Sequence, residues 1–170
     1  EACQYYAAFT GTAYEENADY NKFFDNFYNV LGYARKLERK LPEVAFANLF
    51  IGFTVRFMYL LNNGKFDRLL NEITEFYGPM AKQTGTLWEQ DTPIASLNHG
   101  LSSVAAVLII KGLTGISEIN EADKTITVKK IDHNRKYKIS VGLTDGMLYA
   151  ENDRNGRKIR VDGEYKVTEI

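Results

Sequence analysis

One cysteine, two histidines, one tryptophan and three prolines in 170 residues leave little for several kinds of chemistry. Cys3 alone closes no internal disulfide and leaves the redox compartment open. With two histidines it makes too few soft ligands for a zinc site. No metal and no cofactor is expected. Gly142 and Gly146 punctuate turns, and no glycine-rich loop follows a strand and opens a helix, as a phosphate cradle requires. Charge of one sign is missing too. The 21 Lys+Arg and 22 Asp+Glu are mixed along the chain and sum to −1. Without a basic stripe there are no counterions to displace from nucleic acid, and nothing draws the chain to an anionic membrane surface. No apolar run reaches the roughly 18–20 residues of a spanning helix, and no charged segment leads into an apolar one at the start. Low-complexity tracts are absent, as are internal repeats beyond helix pairs.

What is present, 45% hydrophobic and 25% charged residues, suits one ordinary domain or one domain with a small appendage. Periodicity predicts five helices, at about 1–13, 20–38, 46–62, 65–78 and 97–114. Asn62-Asn63-Gly64 and Gly78-Pro79 are the expected stops, and the short first turn makes 46–78 an antiparallel helical hairpin. After Gly115 the composition turns to alternating β-branched and charged residues. Thr125–Lys129, Tyr137–Val141, Lys158–Val161 and Glu164–Val167 alternate with period two, the last two flanking an Asp162-Gly163 hairpin signal. The fold class is α+β, mainly α: helices over 1–116, then a small antiparallel β domain over 117–170 with one solvated face.

Phe46–Leu61 is apolar around its whole circumference apart from Asn48, Thr54 and Arg56, and Leu101–Leu113 is nearly so. Such helices need cover on all sides. Either they pack against more protein than the chain contains, in a larger helical array or a homo-oligomer, or five helices form an unusually well-enclosed core. The opening at Glu1, inside an expected helix, also suggests a processed or excised piece. Aromatic residues from Tyr5 to Tyr28 recur at near-helical spacing, which favours interhelix packing over sugar stacking. Arg35–Lys40 reads as a solvated mixed-charge face, Glu15-Glu16 as a solvated helix end beside Asn17, and His133, between Asp132 and Asn134, as an exposed turn residue.

The stretch Gln83–Gly100 stands apart. It places the only tryptophan, a carboxylate and a histidine in one loop between two helices, where sites are commonly built. Trp88 offers a face for a sugar ring or a wall that desolvates Glu89; Glu89 is suited to general-base work and His99 to binding hydroxyls. The plainer alternative makes Trp88 a core plug, Glu89 a solvated acid, and Asn98 or Ser96 a helix cap.

Gly85-Thr86-Leu87-Trp88-Glu89, followed by Ser96-Leu97-Asn98-His99-Gly100 and an apolar helix ending Gly112-Leu113-Thr114-Gly115-Ile116, resembles the C-terminal portion of bacterial α-L-rhamnosidases. Residues 1–116 follow that family's helical pattern, and the tail loosely resembles its small C-terminal β-sandwich. The resemblance implies an (α/α)6 toroid and hydrolysis of terminal α-L-rhamnosyl bonds with inversion, by an acid and a base roughly 6.5–9.5 Å apart. It assigns Glu89 as general base, with Trp88, Asn98 and His99 at the sugar site. The family's acid lies well upstream in an Asp- and Arg-rich loop containing Asp-x-x-x-x-Glu, and nothing before Glu89 reads like that loop; Glu15, Glu16 and Glu43 have neither its flanks nor its distance from the base. The Gln90–Asn98 connection is also shorter than is usual in the family and contains Pro93. Since a complete toroid needs twelve helices, the chain is expected to be a C-terminal piece whose partners are a rhamnose-containing glycan and the missing N-terminal part. By the same analogy the parent is periplasmic or secreted. A noncatalytic carbohydrate-binding or assembly module is the alternative.

Overall fold

A computed structural model describes residues 1–131 and 133–170. The described chain is α+β and mainly helical, and it divides into two compact units, Glu1–Ala105 and Ala106–Ile170. Six α-helices form instead of five: α1 (Ala2–Phe9), α2 (Asn21–Asn29), α3 (Tyr33–Glu38), α4 (Phe50–Asn62), α5 (Phe66–Thr84) and α6 (Val104–Thr114). The expected helix 20–38 breaks at Gly32, which has φ +126° and whose N–H donates to the Glu1 carboxylate at 2.9 Å. The expected start at Phe46 moves to Phe50 because Leu49 is held extended in an antiparallel bridge to Gln90. Helix α5 continues through Gly78-Pro79 to Thr84. The missing Pro79 N–H would have bonded the carbonyl of Glu75, and both residues are on the exposed side, where water satisfies that oxygen.

Aromatic packing joins the helices of the first unit. Tyr5 of α1 meets Phe27 of α2 and Phe53 of α4 at 5.9 and 6.1 Å, and Phe53 stacks on Phe76 of α5 at 4.2 Å. With Arg56 paired to Glu72, residue numbers rise along α4 as they fall along α5, so the two helices form the expected antiparallel hairpin. Most of the α4 circumference, including Phe53, Phe57 and Leu60, is buried within the chain. On α6, by contrast, Val107 is exposed.

Two surface readings are corrected. Arg35 is only 1% exposed: it pairs with Glu1 at 2.7 Å and donates to the carbonyls of Lys40, Leu41 and Val44. Burial works against the Glu1 carboxylate, but hydrogen bonds from Arg35, Tyr5, Gly32 and Ala47 outweigh it and lower its pKa. Glu15 is exposed as expected, but it lies in a turn instead of a helix end and accepts hydrogen bonds from Tyr28 at 2.5 Å and Tyr59 at 2.6 Å, clasping the segment after α1 to α2 and α4.

Desolvation raises the Glu15 pKa, yet the two tyrosines and Lys65 overcome it, and the net direction is down. A carboxyl depressed in the folded state stabilises above its unfolded pKa, about 4.3, and loses that contribution as pH falls through the folded value. Glu15→Gln should therefore lower the thermal midpoint at neutral pH, and the gap to the parent protein should close in strong acid. An unchanging gap across that range would show that ionisation is not what stabilises the clasp.

The second unit carries β1 (Ile116–Asn120), β2 (Thr125–Val128), β3 (Tyr137–Leu143), β4 (Gly146–Asp153), β5 (Gly156–Asp162) and β6 (Lys166–Glu169). They form two three-stranded sheets, β1-β2-β6 and β3-β4-β5, instead of one antiparallel sheet. Asp162-Gly163 is not a hairpin. The chain leaves β5 there, buries Tyr165 among Ile116, Ile126, Val128, Leu148 and Ala150, and pairs β6 parallel to β2. The expected alternation with one solvated face holds in β3 and β5. His133, expected to be exposed, is half-buried with Nε2 3.0 Å from the Gly112 carbonyl; its neighbour Asp132 lies outside the described residues.

Gly146 opens β4 at φ +151°, where a Cβ would lie 1.9 Å from the Asp162 carbonyl oxygen. Gly146→Ala should destabilise the second unit by about 1–3 kcal/mol, because the obstacle is backbone of the paired strand and cannot rotate away. Denaturant unfolding of the β signal checks this, and an unchanged midpoint would contradict the close approach.

Candidate functional site

The loop after α5 is organised by backbone pairing. Leu87–Asp91 lies between two neighbours. On one side Phe50 donates to Glu89 O at 2.8 Å and Asp91 donates to Asn48 O at 3.0 Å; on the other Glu89 donates to Ser96 O and His99 to Leu87 O, both at 2.9 Å. Within this segment Trp88 is buried and Glu89 half-exposed.

Trp88 is 3% exposed; its indole Nε1–H donates to Thr84 Oγ1 at 2.8 Å and its carbonyl accepts from Ser102 Oγ at 2.9 Å. An indole buried this deeply presents no face to a sugar, so Trp88 is an anchor and not the expected binding platform. Glu89 is half-exposed, and its carboxylate makes no hydrogen bond or ion pair among the described residues. His99 is half-buried, its ring 4.5 Å from that of Phe50, and its Nε2 is enclosed without a partner. Asn98 is exposed, and neither it nor Ser96 caps a helix: a 3-10 turn, Gly100–Ser103, precedes α6 and takes His99 as its N-cap. The 87–99 and 89–96 backbone pairing sets the segments that carry Glu89 and His99 side by side, while Asn98 is exposed to solvent.

The sequence reading passed over Asp91. Its carboxylate is almost wholly buried, pairs with Lys36 of α3 through Oδ2, and leaves Oδ1 without a partner. The ion pair ties the loop to α3 and so fixes the backbone that carries Glu89.

A second feature went unseen in the sequence. The α2–α3 junction, α3 and α5 enclose a cleft of about 460 Å³. Arg35 and Glu72 form its buried floor, and Arg68, Asn71 and Glu75, spaced along one face of α5, stand at its mouth. Burial, reinforced by the charge of Glu72, raises the Glu75 pKa. No residue of the Glu89 loop lines this cleft. Among the described residues no three His, Cys, Asp or Glu side chains are grouped to hold a metal ion. Comparison of the chain with protein-family models, curated proteins and solved structures returns no match.

Proposed function

We propose that the chain is the C-terminal part of an inverting, rhamnosidase-like glycoside hydrolase in which Glu89 is the general base. One observation carries this reading: Glu89 is half-exposed on a backbone segment hydrogen-bonded on both sides and anchored by Trp88, with no donor among the described residues competing for its carboxylate. A base that must take a proton from water needs both that access and that fixed position. His99, whose enclosed Nε2 has no partner among the described residues, and the exposed Asn98 are the residues this reading assigns to the sugar's hydroxyls.

In this scheme water attacks the anomeric carbon as Glu89 accepts its proton, while a carboxylic acid on upstream polypeptide protonates the leaving oxygen. The antiparallel α4–α5 hairpin is the repeating unit of an (α/α)6 toroid, and further helices would cover the apolar side chains left exposed near the loop, Ile94 at 81% and Leu101 at 69%. The partners are then a rhamnose-containing glycan and that upstream segment. Because the sequence has no match to the family's acid loop, a noncatalytic carbohydrate-binding module is the second reading.

The test is hydrolysis of an aryl α-L-rhamnoside by the chain alone and by a protein extended upstream to a full toroid. The extended protein should release the aglycone with inversion and the chain alone should not. An inactive, folded extended protein would overturn the hydrolase reading and leave the binding module.

A further inference from the structure

The cleft between α3 and α5 has the chemistry of a ligand site, and it is separate from the Glu89 loop. Its volume falls in the range of small-molecule clefts, roughly 300–1,000 Å³. The lining is polar and electrically balanced, with Arg35, Lys40 and Arg68 facing Glu38, Glu72 and Glu75. Such a lining exerts no net pull on a phosphate or a simple cation.

Hydrogen-bonding capacity narrows the class further. Much of the lining is already used: Glu72 accepts from Arg56 and Arg68, Lys40 pairs with Glu38 at 2.6 Å, and both terminal nitrogens of Arg35 are engaged. Three groups retain capacity among the described residues. The Arg68 terminal nitrogens are donors, the Glu75 carboxylate is an acceptor, and the Asn71 amide is both. Donors and acceptors interleaved over a few ångströms match groups that donate and accept at once, which is what adjacent hydroxyls do. Tyr33, half-buried with its ring edge-on to Phe53 and Phe76, supplies a rigid wall.

We infer that this cleft is a binding site for a neutral mono- or disaccharide, held through its hydroxyls by Arg68, Asn71 and Glu75. The raised pKa of Glu75 agrees with this assignment, since a carboxyl that protonates readily can also donate to a sugar oxygen. The inference does not rest on the role given to Glu89.

Amide chemical-shift titration of the full chain with L-rhamnose, D-glucose and maltose tests it, with inorganic phosphate and glycine as the anionic and zwitterionic comparisons. At least one sugar should move the amides of Gly32, Arg68, Asn71 and Glu75 in a saturable way, with a dissociation constant on the order of 1 mM. Glu75→Ala should weaken that binding about tenfold, the size of a lost hydrogen bond to a charged group. Asn71→Ala, at an exposed position with no partner among the described residues, does the same without risk to the fold. Glu89→Gln should leave the cleft shifts unchanged. Shifts confined to residues 87–99, no shift with any sugar, or stronger displacement by phosphate or glycine would each overturn the assignment.

Discussion

Glu72→Ala should cost the first unit about 3–5 kcal/mol, a large part of the roughly 5–15 kcal/mol that holds a small domain together. Arg56 is the reason. Its guanidinium is 0% exposed, forks onto Glu72 at 2.5 and 2.8 Å, and reaches the carbonyls of Phe27 and Leu31 at 2.9 and 3.1 Å. The rings of Tyr5 and Phe27 cover it. Burial works against this charge, but the hydrogen bonds and charge of Glu72 outweigh it and raise the arginine's pKa, so Arg56 stays ionised. Truncating Glu72 therefore strands a cation among aromatic rings with two carbonyls for company. Arg68, partly exposed, turns back to water at little cost.

Denaturant unfolding followed by the helical circular dichroism signal measures the loss. The double variant Arg56→Met, Glu72→Leu should recover part of it, because no charge is then stranded, though the Phe27 and Leu31 carbonyls lose their donor. A loss below about 1 kcal/mol for Glu72→Ala would mean that the pair does not hold α2, α4 and α5 together.

That pair was partly legible in advance. Arg56 interrupts an apolar helix, and Glu72 lies as far after Gly64 as Arg56 lies before it, eight residues in each case. In a hairpin turning at Gly64 such positions face each other. Local signals served well wherever they acted alone, as in the Asn62–Gly64 stop and the alternation of β3 and β5. They failed where a distant contact outbid them. Asp162-Gly163 has hairpin chemistry, yet burial of Tyr165 and pairing of β6 with β2, about forty residues earlier, decide where that strand goes. Phe46–Leu49 has the composition of the helix that follows it, but pairing with the Glu89 segment keeps it extended. In the Gln83–Gly100 loop residue types do not tell inward from outward. Trp88 suits a sugar platform and a core anchor equally; its burial against Thr84 and Ser102 settles which it is.

Glu89→Gln should lower aryl rhamnoside hydrolysis by the upstream-extended protein about 10²–10⁴-fold, the usual loss when a general base is removed. Glutamine keeps the shape and can still orient a water through its carbonyl oxygen, but it cannot accept the proton. The Glu89 carboxylate has no partner among the described residues, so the thermal midpoint should stay where it is. Trp88→Ala would also abolish activity, but by another route: loss of a buried indole costs about 3–5 kcal/mol and loosens the segment that presents the base. A drop in kcat with unchanged stability for Glu89→Gln, set against a fall in both for Trp88→Ala, is the pattern that separates chemistry from support. His99→Ala should act between these two by raising KM, since the role proposed for it is to hold a hydroxyl and not to move a proton. If the Gln variant keeps full activity in a folded protein, the water is activated by another carboxylate and the assignment of Glu89 is wrong.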